Sequence, residues 1–259
     1  MELLLDNQSL NNSEFYHVVQ PIVNLVEKRI HGFEFLLRSK QIQNPEKLFG
    51  MAEKNHQLNE LDKISVYKIF ETVANSKGAL DEYQLFINVY PSTMVDPDFL
   101  ESLKELAAGS NIHPNSIVFE INEAEEILDI EFFKETVVKL KQMGFLISLD
   151  DIGKGQANMK NLIEIDPNVA KLDLYFSEDL AFSPKKQDFI YYFHQFLGHH
   201  AKIVLEGLEK EEDLQAAKQL GVSYGQGYYL GKPQPLEYYV HGLNDDKKKY
   251  NLNGRSKDF

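Results

Sequence analysis

The chain contains no cysteine among its 259 residues, and its 27 Lys and Arg are outnumbered by 40 Asp and Glu. Without cysteine there can be no disulfide, no thiolate metal site and no cysteine nucleophile. The net charge of −13 argues against a nucleic-acid surface, which would show clustered Lys and Arg. It does not exclude a small phosphate ligand, because bound metal ions can invert the local field. We therefore predict that the protein binds neither DNA nor RNA.

The sequence also lacks the segments that mark membrane or exported proteins. Its apolar runs fall well short of the roughly 20 residues that a membrane-spanning helix needs. The opening residues, MELLLD, are too short and too acidic for a signal peptide. No proline- or serine-rich linker divides the chain, and no G-x-S-x-G nucleophile motif occurs. We therefore expect one cytoplasmic domain without membrane insertion.

What the chain does contain is a series of short apolar runs separated by helix-like segments. Such runs indicate buried parallel strands, and 259 residues suit a single (β/α)8 barrel, which needs about 250. Residues 15–26 and 30–38 are predicted to form a starting hairpin. Gly144 and Gly221 each follow a helical pattern at the position where a left-handed residue closes a helix. The predicted helices cover residues 45–53, 58–74, 97–107, 130–142, 184–197 and 211–219.

Carboxylate and amide side chains come at or near the carboxyl ends of the apolar runs. In a barrel these ends meet at one mouth, where barrel enzymes keep their chemistry. Each residue alone could be a strand-end or helix cap, but a whole ring of buried carboxylates is hard to explain by folding, because unpaired ones are strongly destabilising. As hard oxygen ligands they suit Mg²⁺ or Mn²⁺ rather than zinc. The candidate ligands are Glu34, Asn88, Glu120, Asp150 and Asp151.

Five more side chains near this mouth are each open to two interpretations. Lys171 could orient a water nucleophile or form a structural ion pair. Glu206 is a candidate base, whereas Glu209 could instead be a charge favoured at a helix N-terminus. Gln226 could bond a ligand or belong to a turn. Arg38 suits a phosphate through its two-pronged donor geometry, or it forms a surface ion pair.

These residues resemble the motifs of the EAL-domain cyclic di-GMP phosphodiesterases of bacteria, over about residues 15–235. The family's E-A-L-x-R motif is similar to Glu34-Phe35-Leu36-Leu37-Arg38, with Phe in place of Ala. The other motifs resemble Asn88 and its strand, Glu120-Ile121-Asn122-Glu123, Asp150-Asp151-Ile152-Gly153, Lys171-Leu172-Asp173, Glu206-Gly207-Leu208-Glu209 and Gln226-Gly227-Tyr228.

The resemblance implies a modified TIM-type barrel with an antiparallel first strand, and hydrolysis of cyclic di-GMP to linear pGpG with two Mg²⁺ or Mn²⁺ ions. It implies that the five candidate ligands hold the metals. Lys171, Glu206 and Asp151 would act on the water, Arg38, Gln226 and Leu36 would contact substrate, and Glu123 and Glu209 would support a loop. We divide the chain into an N-terminal extension (1–13), the barrel domain (14–243) and a polar tail (244–259).

The loop after the Asp pair departs from the family pattern. Family Thr, Tyr and two Ser are replaced by Lys154, Gln156, Ala157 and Asn158. Since the family uses this loop to hold the site and to dimerise, we predict a homodimer built on the loop and its adjoining helices. The departure also favours a second interpretation, a cyclic di-GMP receptor with little turnover. A third is a Schiff-base aldolase with Lys171 as the nucleophile.

Overall fold

The computed structural model describes residues 15–109, 112–122, 125–154, 159–198 and 200–240. Eight strands close into a barrel in sequence order, β1 to β8. Strand β1 runs antiparallel to both of its neighbours, β2 and β8, and the other pairs are parallel. The predicted barrel with an antiparallel first strand is confirmed.

The strands and helices alternate after the opening hairpin. The strands are β1 Phe15–Asn24, β2 Arg29–Ser39, β3 Gln84–Val89, β4 Ile117–Ile121, β5 Leu146–Ile152, β6 Val169–Leu172, β7 Lys202–Leu205 and β8 Tyr224–Gly225. The helices are α1 Pro45–Lys54, α2 Leu58–Asn75, α3 Pro91–Met94, α4 Pro97–Gly109, α5 Ile130–Gln142, α6 Met159–Ile165, α7 Pro184–Leu197, α8 Glu211–Gln219 and α9 Leu236–Val240. None of the helices in the described part of the chain has the length and hydropathy to span a bilayer.

Alternation of side chains along the strands gives the barrel two apolar layers. One face of each strand points outward and packs beneath the helices in a large core that includes Phe33, Phe119 and Phe145. The opposite face fills the barrel interior with a smaller apolar layer, made of Ile22, Phe86, Val118, Val169 and Val204. This inner layer separates the two ends of the barrel, so each end has its own chemistry.

The six predicted helices are all present, and their ends agree to within two residues. Gly144 and Gly221 have φ values of 95° and 87°, as the predicted helix closures require. The first strand ends two residues earlier than predicted, because the Asn24 side chain accepts bonds from the amides of Val26 and Glu27 and starts a turn. The short helices α3, α6 and α9 were not predicted, since 4, 7 and 5 residues give no readable period. The predicted extension and polar tail lie outside the described residues.

Candidate active site

The candidate ligands all lie at one mouth of the barrel, called here the acidic mouth. Asn88 of β3 is the lateral partner of Glu120 of β4. Glu34 of β2 is paired with Phe86 of the inner layer, so it faces the interior. Asp150 lies two residues after Ser148 on the interior face of β5, and it reaches the same mouth. The register therefore brings the predicted residues together from four different strands.

The Lys171 ammonium lies among four carboxylates and is fully buried. Its Nζ atom is 2.9 Å from Glu120 Oε1, 2.9 Å from Glu206 Oε1 and 3.0 Å from Asp150 Oδ1. Glu34 Oε2 lies at 3.5 Å. The Lys171 ammonium thus offsets only part of the charge of these four carboxylates, and a net negative charge remains for other cations to balance.

Burial and mutual repulsion shift the pKa values of these groups. Burial lowers the pKa of Lys171, but the surrounding carboxylates outweigh burial and hold this pKa well above its usual value. Burial raises the pKa of Glu120 and of Glu206 well above the usual range, and it also raises the pKa of Asp150; Lys171 offsets these shifts only in part. Because Lys171 stays charged, it is unsuited to be a Schiff-base nucleophile, which needs a lowered pKa.

Glu34 is held by two side-chain amides. Asn88 Nδ2 donates to Glu34 Oε1 at 2.9 Å, and Gln226 Nε2 donates to Glu34 Oε2 at 2.6 Å. Each amide uses its nitrogen in this way, so the Asn88 oxygen is available as a ligand. Gln226 is buried at the mouth rather than placed in an exposed turn.

Asp150 and Asp151 face the same site although they are adjacent in a strand. Successive strand residues normally point to opposite faces. Here the register of β5 against β6 shifts between Leu149 and Ile152, and Asp151 adopts a left-handed φ of 47°. One carboxylate oxygen from each of Asp150, Asp151 and Glu206 consequently lies within 4.8 Å of the others. A left-handed conformation costs a residue other than glycine on the order of 1–3 kcal/mol, and such strain is concentrated at functional sites.

The donor set fits a hard divalent cation. Neither oxygen of Glu120 accepts a well-aligned hydrogen bond from any residue that the structure describes, although the Lys171 ammonium is close to one of them. Asp150 Oδ1 is also buried without a well-aligned hydrogen bond from a described residue, again with the Lys171 ammonium close by. Buried oxygens of this kind are costly unless something coordinates them, and carboxylate oxygens are the ligands that Mg²⁺ and Mn²⁺ prefer.

The altered loop places its own cation on the site. Lys154 Nζ lies 2.9 Å from Asp151 Oδ2. The lysine side chain is 59% exposed and the aspartate side chain 20% exposed, so solvent weakens the contact. Gln156, Ala157 and Asn158 of this loop, and Glu123 that was predicted to support it, lie outside the described residues.

Arg38 and Leu36 follow Glu34 on the interior face of β2, at the rim of the mouth. Burial lowers the pKa of Arg38, while Tyr16, Glu34 and Tyr228 act in the opposite direction. No ion pair of Arg38 occurs among the described residues, whose ion pairs involve other cations. The guanidinium donates one bond, from Nη1 to the carbonyl of Leu37. Sequence reasoning missed Tyr16, since an isolated Tyr carries no motif, and it gave Tyr228 of the Gln226-Gly227-Tyr228 motif no role beside Arg38.

Two acidic residues of the motifs, Asp173 and Glu209, are not among the carboxylates around Lys171. Asp173 of the Lys171-Leu172-Asp173 motif lies beyond the end of β6 at Leu172, and its carboxylate accepts a hydrogen bond from the amide of Tyr175. Glu209 is exposed and immediately precedes Lys210, the N-cap of α8. Its support of the loop stays a prediction.

Comparison with known proteins identifies similar chains. The model of a family described as EAL domain matches residues 6–233. Cyclic di-GMP phosphodiesterase PdeF of Escherichia coli (strain K12) is 25% identical over 238 residues, covering 88% of this chain and 31% of that protein. Cyclic di-GMP phosphodiesterase PA2567 of Pseudomonas aeruginosa is 29% identical over 235 residues, covering 88% of this chain and 40% of that protein. The chain therefore spans less than half the length of either relative.

The barrel is also similar to solved structures. The Klebsiella pneumoniae BlrP1 complex with calcium and cyclic di-GMP superposes with a TM-score of 0.77 at 24% identity. The match covers 86% of this chain and 56% of that one. At this identity the likeness shows a shared fold.

Proposed function

We propose that this chain, which belongs to the EAL domain family, hydrolyses cyclic di-GMP to linear pGpG at its acidic mouth. The observation that carries the proposal is the ring of four carboxylates around the Lys171 ammonium, in which the buried Glu120 Oε2 has no hydrogen-bond partner among the described residues. Such a ring calls for divalent cations, and cations beside a phosphodiester favour its hydrolysis. The relatives named as cyclic di-GMP phosphodiesterases support the choice of substrate.

Five residues would hold two Mg²⁺ or Mn²⁺ ions: Glu34, Asn88, Glu120, Asp150 and Asp151. When bound, two such ions supply an activated water and neutralise charge on the phosphate. Glu206 accepts the proton of the attacking water as a general base. Lys171 holds the Glu206 carboxylate in place from 2.9 Å. The carboxylate of Asp151, next to Asp150, also orients this attacking water.

The rim would bind the dinucleotide. Arg38 presents a planar donor fork to a phosphate, which is the geometry that guanidinium groups match best. Gln226 reaches the substrate from the end of β8, and Leu36 supplies an apolar contact between Glu34 and Arg38. The water oxygen forms a bond to phosphorus as the bond between phosphorus and the 3′ oxygen breaks. The leaving 3′ oxygen takes up a proton from solvent, and the product is the linear dinucleotide.

Mn²⁺ at millimolar concentration is expected to raise the melting temperature by roughly 5–10 °C, because a ligand present at about 100 times its Kd stabilises the folded state by about 2.7 kcal/mol. Differential scanning calorimetry with Mn²⁺, with Mg²⁺ and with EDTA measures the shift. The matched control is Asp98→Asn, an exposed carboxylate of α4, which should keep the full shift. A wild-type melting temperature that does not change with Mn²⁺ would contradict the proposed metal site.

A receptor that binds cyclic di-GMP with little turnover is the second candidate, favoured by the Lys154–Asp151 ion pair. A lysine ammonium on a metal ligand competes with the metal for the same carboxylate. Binding of the dinucleotide by Arg38 and the rim does not need that carboxylate. The altered loop would therefore limit catalysis more than affinity, since a displacement of about 1 Å in a catalytic group can cost on the order of 100-fold in rate.

Lys154→Thr is expected to tighten Mn²⁺ binding by roughly 1.5- to 5-fold, the range for an exposed ion pair. Free Mn²⁺ measured by electron paramagnetic resonance gives this affinity without an activity assay. Restoring Tyr and both Ser at Gln156, Ala157 and Asn158 as well should raise kcat with little change in cyclic di-GMP affinity. If kcat stays flat while the affinity changes markedly, the loop is a binding element instead. Lys160→Thr, outside the ion pair, is the control.

A homodimer through the altered loop and its neighbours is part of the proposal. Gly153 lies against the Phe176 ring, which stacks on Phe189 of α7 at 4.5 Å. The segments that follow the loop expose large apolar side chains of the kind found at protein interfaces; they include Met159, Ile163, Leu174, Tyr175, Phe182, Tyr192 and Phe196. We propose that a second copy covers them, because closed two-fold dimers are the commonest soluble assembly.

Light scattering is expected to give twice the chain mass at micromolar concentration, and Leu174→Glu should shift the protein toward monomer. Val26→Glu places the same charge on an exposed apolar residue of the β1–β2 turn, at the other end of the barrel, and should leave the dimer intact. A wild-type protein that is monomeric at these concentrations contradicts the dimer. The cytoplasmic location and the division of the chain at residues 13 and 243 stay predictions.

A further inference from the structure

A cavity of about 380 Å³ opens at the amino-terminal end of the barrel, opposite the acidic mouth. This volume lies within the range of small-molecule sites. Lys202 and Tyr224, the first residues of β7 and β8, line it with Leu146 of β5. The inner apolar layer, on which Leu146 and Tyr224 pack, lies between this amino-end cavity and the acidic mouth. The cavity is thus a separate site and its chemistry does not depend on the proposed phosphodiesterase function.

Lys202 brings to this cavity a cation that no carboxylate of the described residues neutralises. None of the ion pairs among the described residues involves Lys202. No Asp or Glu is among the described residues that line the cavity. The ammonium is partly buried, and burial lowers the pKa of Lys202. A desolvated ammonium without a counter-charge gains strongly from an anion placed beside it.

A bulge and a neutral histidine hold this lysine in place. The register of β1 against β2 shifts so that Ile22 pairs with Gly32 and Val23 with Ile30, which leaves His31 as the extra residue. Lys202 Nζ lies 3.2 Å from His31 Nε2. Because an ammonium can only donate, the imidazole nitrogen must accept. Burial, helped by Lys202 and Arg29, lowers the pKa of His31 to about 4, so the ring is neutral at pH 7 and can do so.

The rest of the cavity offers hydrogen-bond donors on apolar walls. Asn168 accepts the Ile147 amide through its Oδ1 at 2.9 Å, which leaves its nitrogen as the donor. His194, His200 and Ser223 add further polar groups to the lining. The Tyr224 ring lies 4.6 Å from the His31 ring and 5.6 Å from the Lys202 ammonium. The walls are completed by Val169, Ala201 and Ile203.

We propose that the amino-end cavity binds a small organic anion, with its phosphate or carboxylate group on Lys202 and an apolar or aromatic body against the walls. The asymmetry of charge supports this choice, since a chain of net charge −13 keeps this lining free of acids among its described residues. A cation-selective site would have the opposite lining, as the acidic mouth has.

Phenyl phosphate is a suitable probe, because it joins an oxyanion to a ring that fits the cavity, and phenol is its neutral counterpart. Isothermal titration calorimetry in EDTA removes any contribution from metal at the acidic mouth. We expect the full chain to bind phenyl phosphate at least about 10-fold more tightly than phenol. Lys202→Met should lower the affinity on the order of 10-fold or more, the effect of losing one charged hydrogen bond. Lys218→Met, which removes the same charge from α8 outside the lining, should not change it.

Ser223→Phe provides a second variant that fills the cavity and leaves Lys202 in place. It should abolish phenyl phosphate binding. If Lys202→Met unfolds the protein, Ser223→Phe alone tests the proposed anion site. The proposal is overturned if the wild-type chain does not bind phenyl phosphate at millimolar concentration. It is also overturned if the affinity survives in the folded Lys202→Met or Ser223→Phe variants, or falls equally in Lys218→Met.

Discussion

Lys171→Met is expected to destabilise the protein in EDTA by about 3–5 kcal/mol, the usual loss when one partner of a buried ion pair is removed. The ammonium is the group that lies within 3.5 Å of all four carboxylates at the acidic mouth. Without it, those carboxylates must be buried uncompensated or take up protons. For a chain of this size, the melting temperature should fall by on the order of 10 °C.

Denaturant unfolding of single and double variants measures this loss. Glu120→Gln in the Lys171→Met background should recover part of it, because one of the unbalanced charges is removed. Saturating Mn²⁺ should also narrow the gap between wild type and Lys171→Met, since cations at the same mouth replace the lost charge. Lys134→Met is the control: it loses a lysine whose ion pairs with Glu131 and Glu164 are accessible to solvent, and it should cost far less than Lys171→Met. Equal stabilities of Lys171→Met and wild type in EDTA would contradict the account of the ring.

Asp150→Asn is expected to lower kcat by about 10³-fold at saturating Mn²⁺, because a metal that loses an anionic ligand also loses several kcal/mol of transition-state stabilisation. The fold should survive this change. Burial raises the pKa of Asp150, so its charge is disfavoured in the folded state, and the melting temperature in EDTA should stay the same or rise. A variant that is stable yet inactive separates the chemistry from the folding.

The measurement is product formation from cyclic di-GMP over a range of Mn²⁺ concentrations, with binding of the dinucleotide followed in parallel. Asp98→Asn, the exposed control on α4, should match wild type in both assays. If Asp150→Asn retains wild-type kcat, Asp150 is not a metal ligand in the reaction, and the proposed ligand set is wrong.

Much of the acidic mouth was predictable because side chains along a strand alternate between its two faces with a period of two residues. Glu120 and Glu206 each end an apolar run, and parallel strands of a barrel end at one mouth. Glu34 instead lies within its strand, on the face that the two-residue alternation assigns to the interior. The interior position of Lys171 follows from the same alternation. The helices were predictable for a similar reason, since long amphipathic segments with Pro at the start and Gly at the end carry a strong local signal.

The other features depend on backbone irregularity or on contacts between distant segments. Asp151 faces the site only because β5 bulges and its φ becomes positive, and strict alternation would have turned it away. His31 reaches Lys202 through another bulge, 171 residues away in sequence. The Asp173 carboxylate caps the turn that follows β6, which is a local competition that residue type alone does not decide. The pairing of Lys154 with Asp151 is a side-chain contact at i, i+3 in a loop, where no regular period applies.

Whether the acidic mouth is a hydrolytic metal site is decided by incubating the pure chain with cyclic di-GMP and following linear pGpG by chromatography. The sample contains Mn²⁺, then excess EDTA, then Mn²⁺ again in excess of the EDTA. We predict that pGpG accumulates over many turnovers, stops in EDTA and resumes when Mn²⁺ is restored. Cyclic di-GMP that stays intact on the protein in Mn²⁺, or pGpG formation that continues in EDTA, would contradict the proposed metal-dependent hydrolysis.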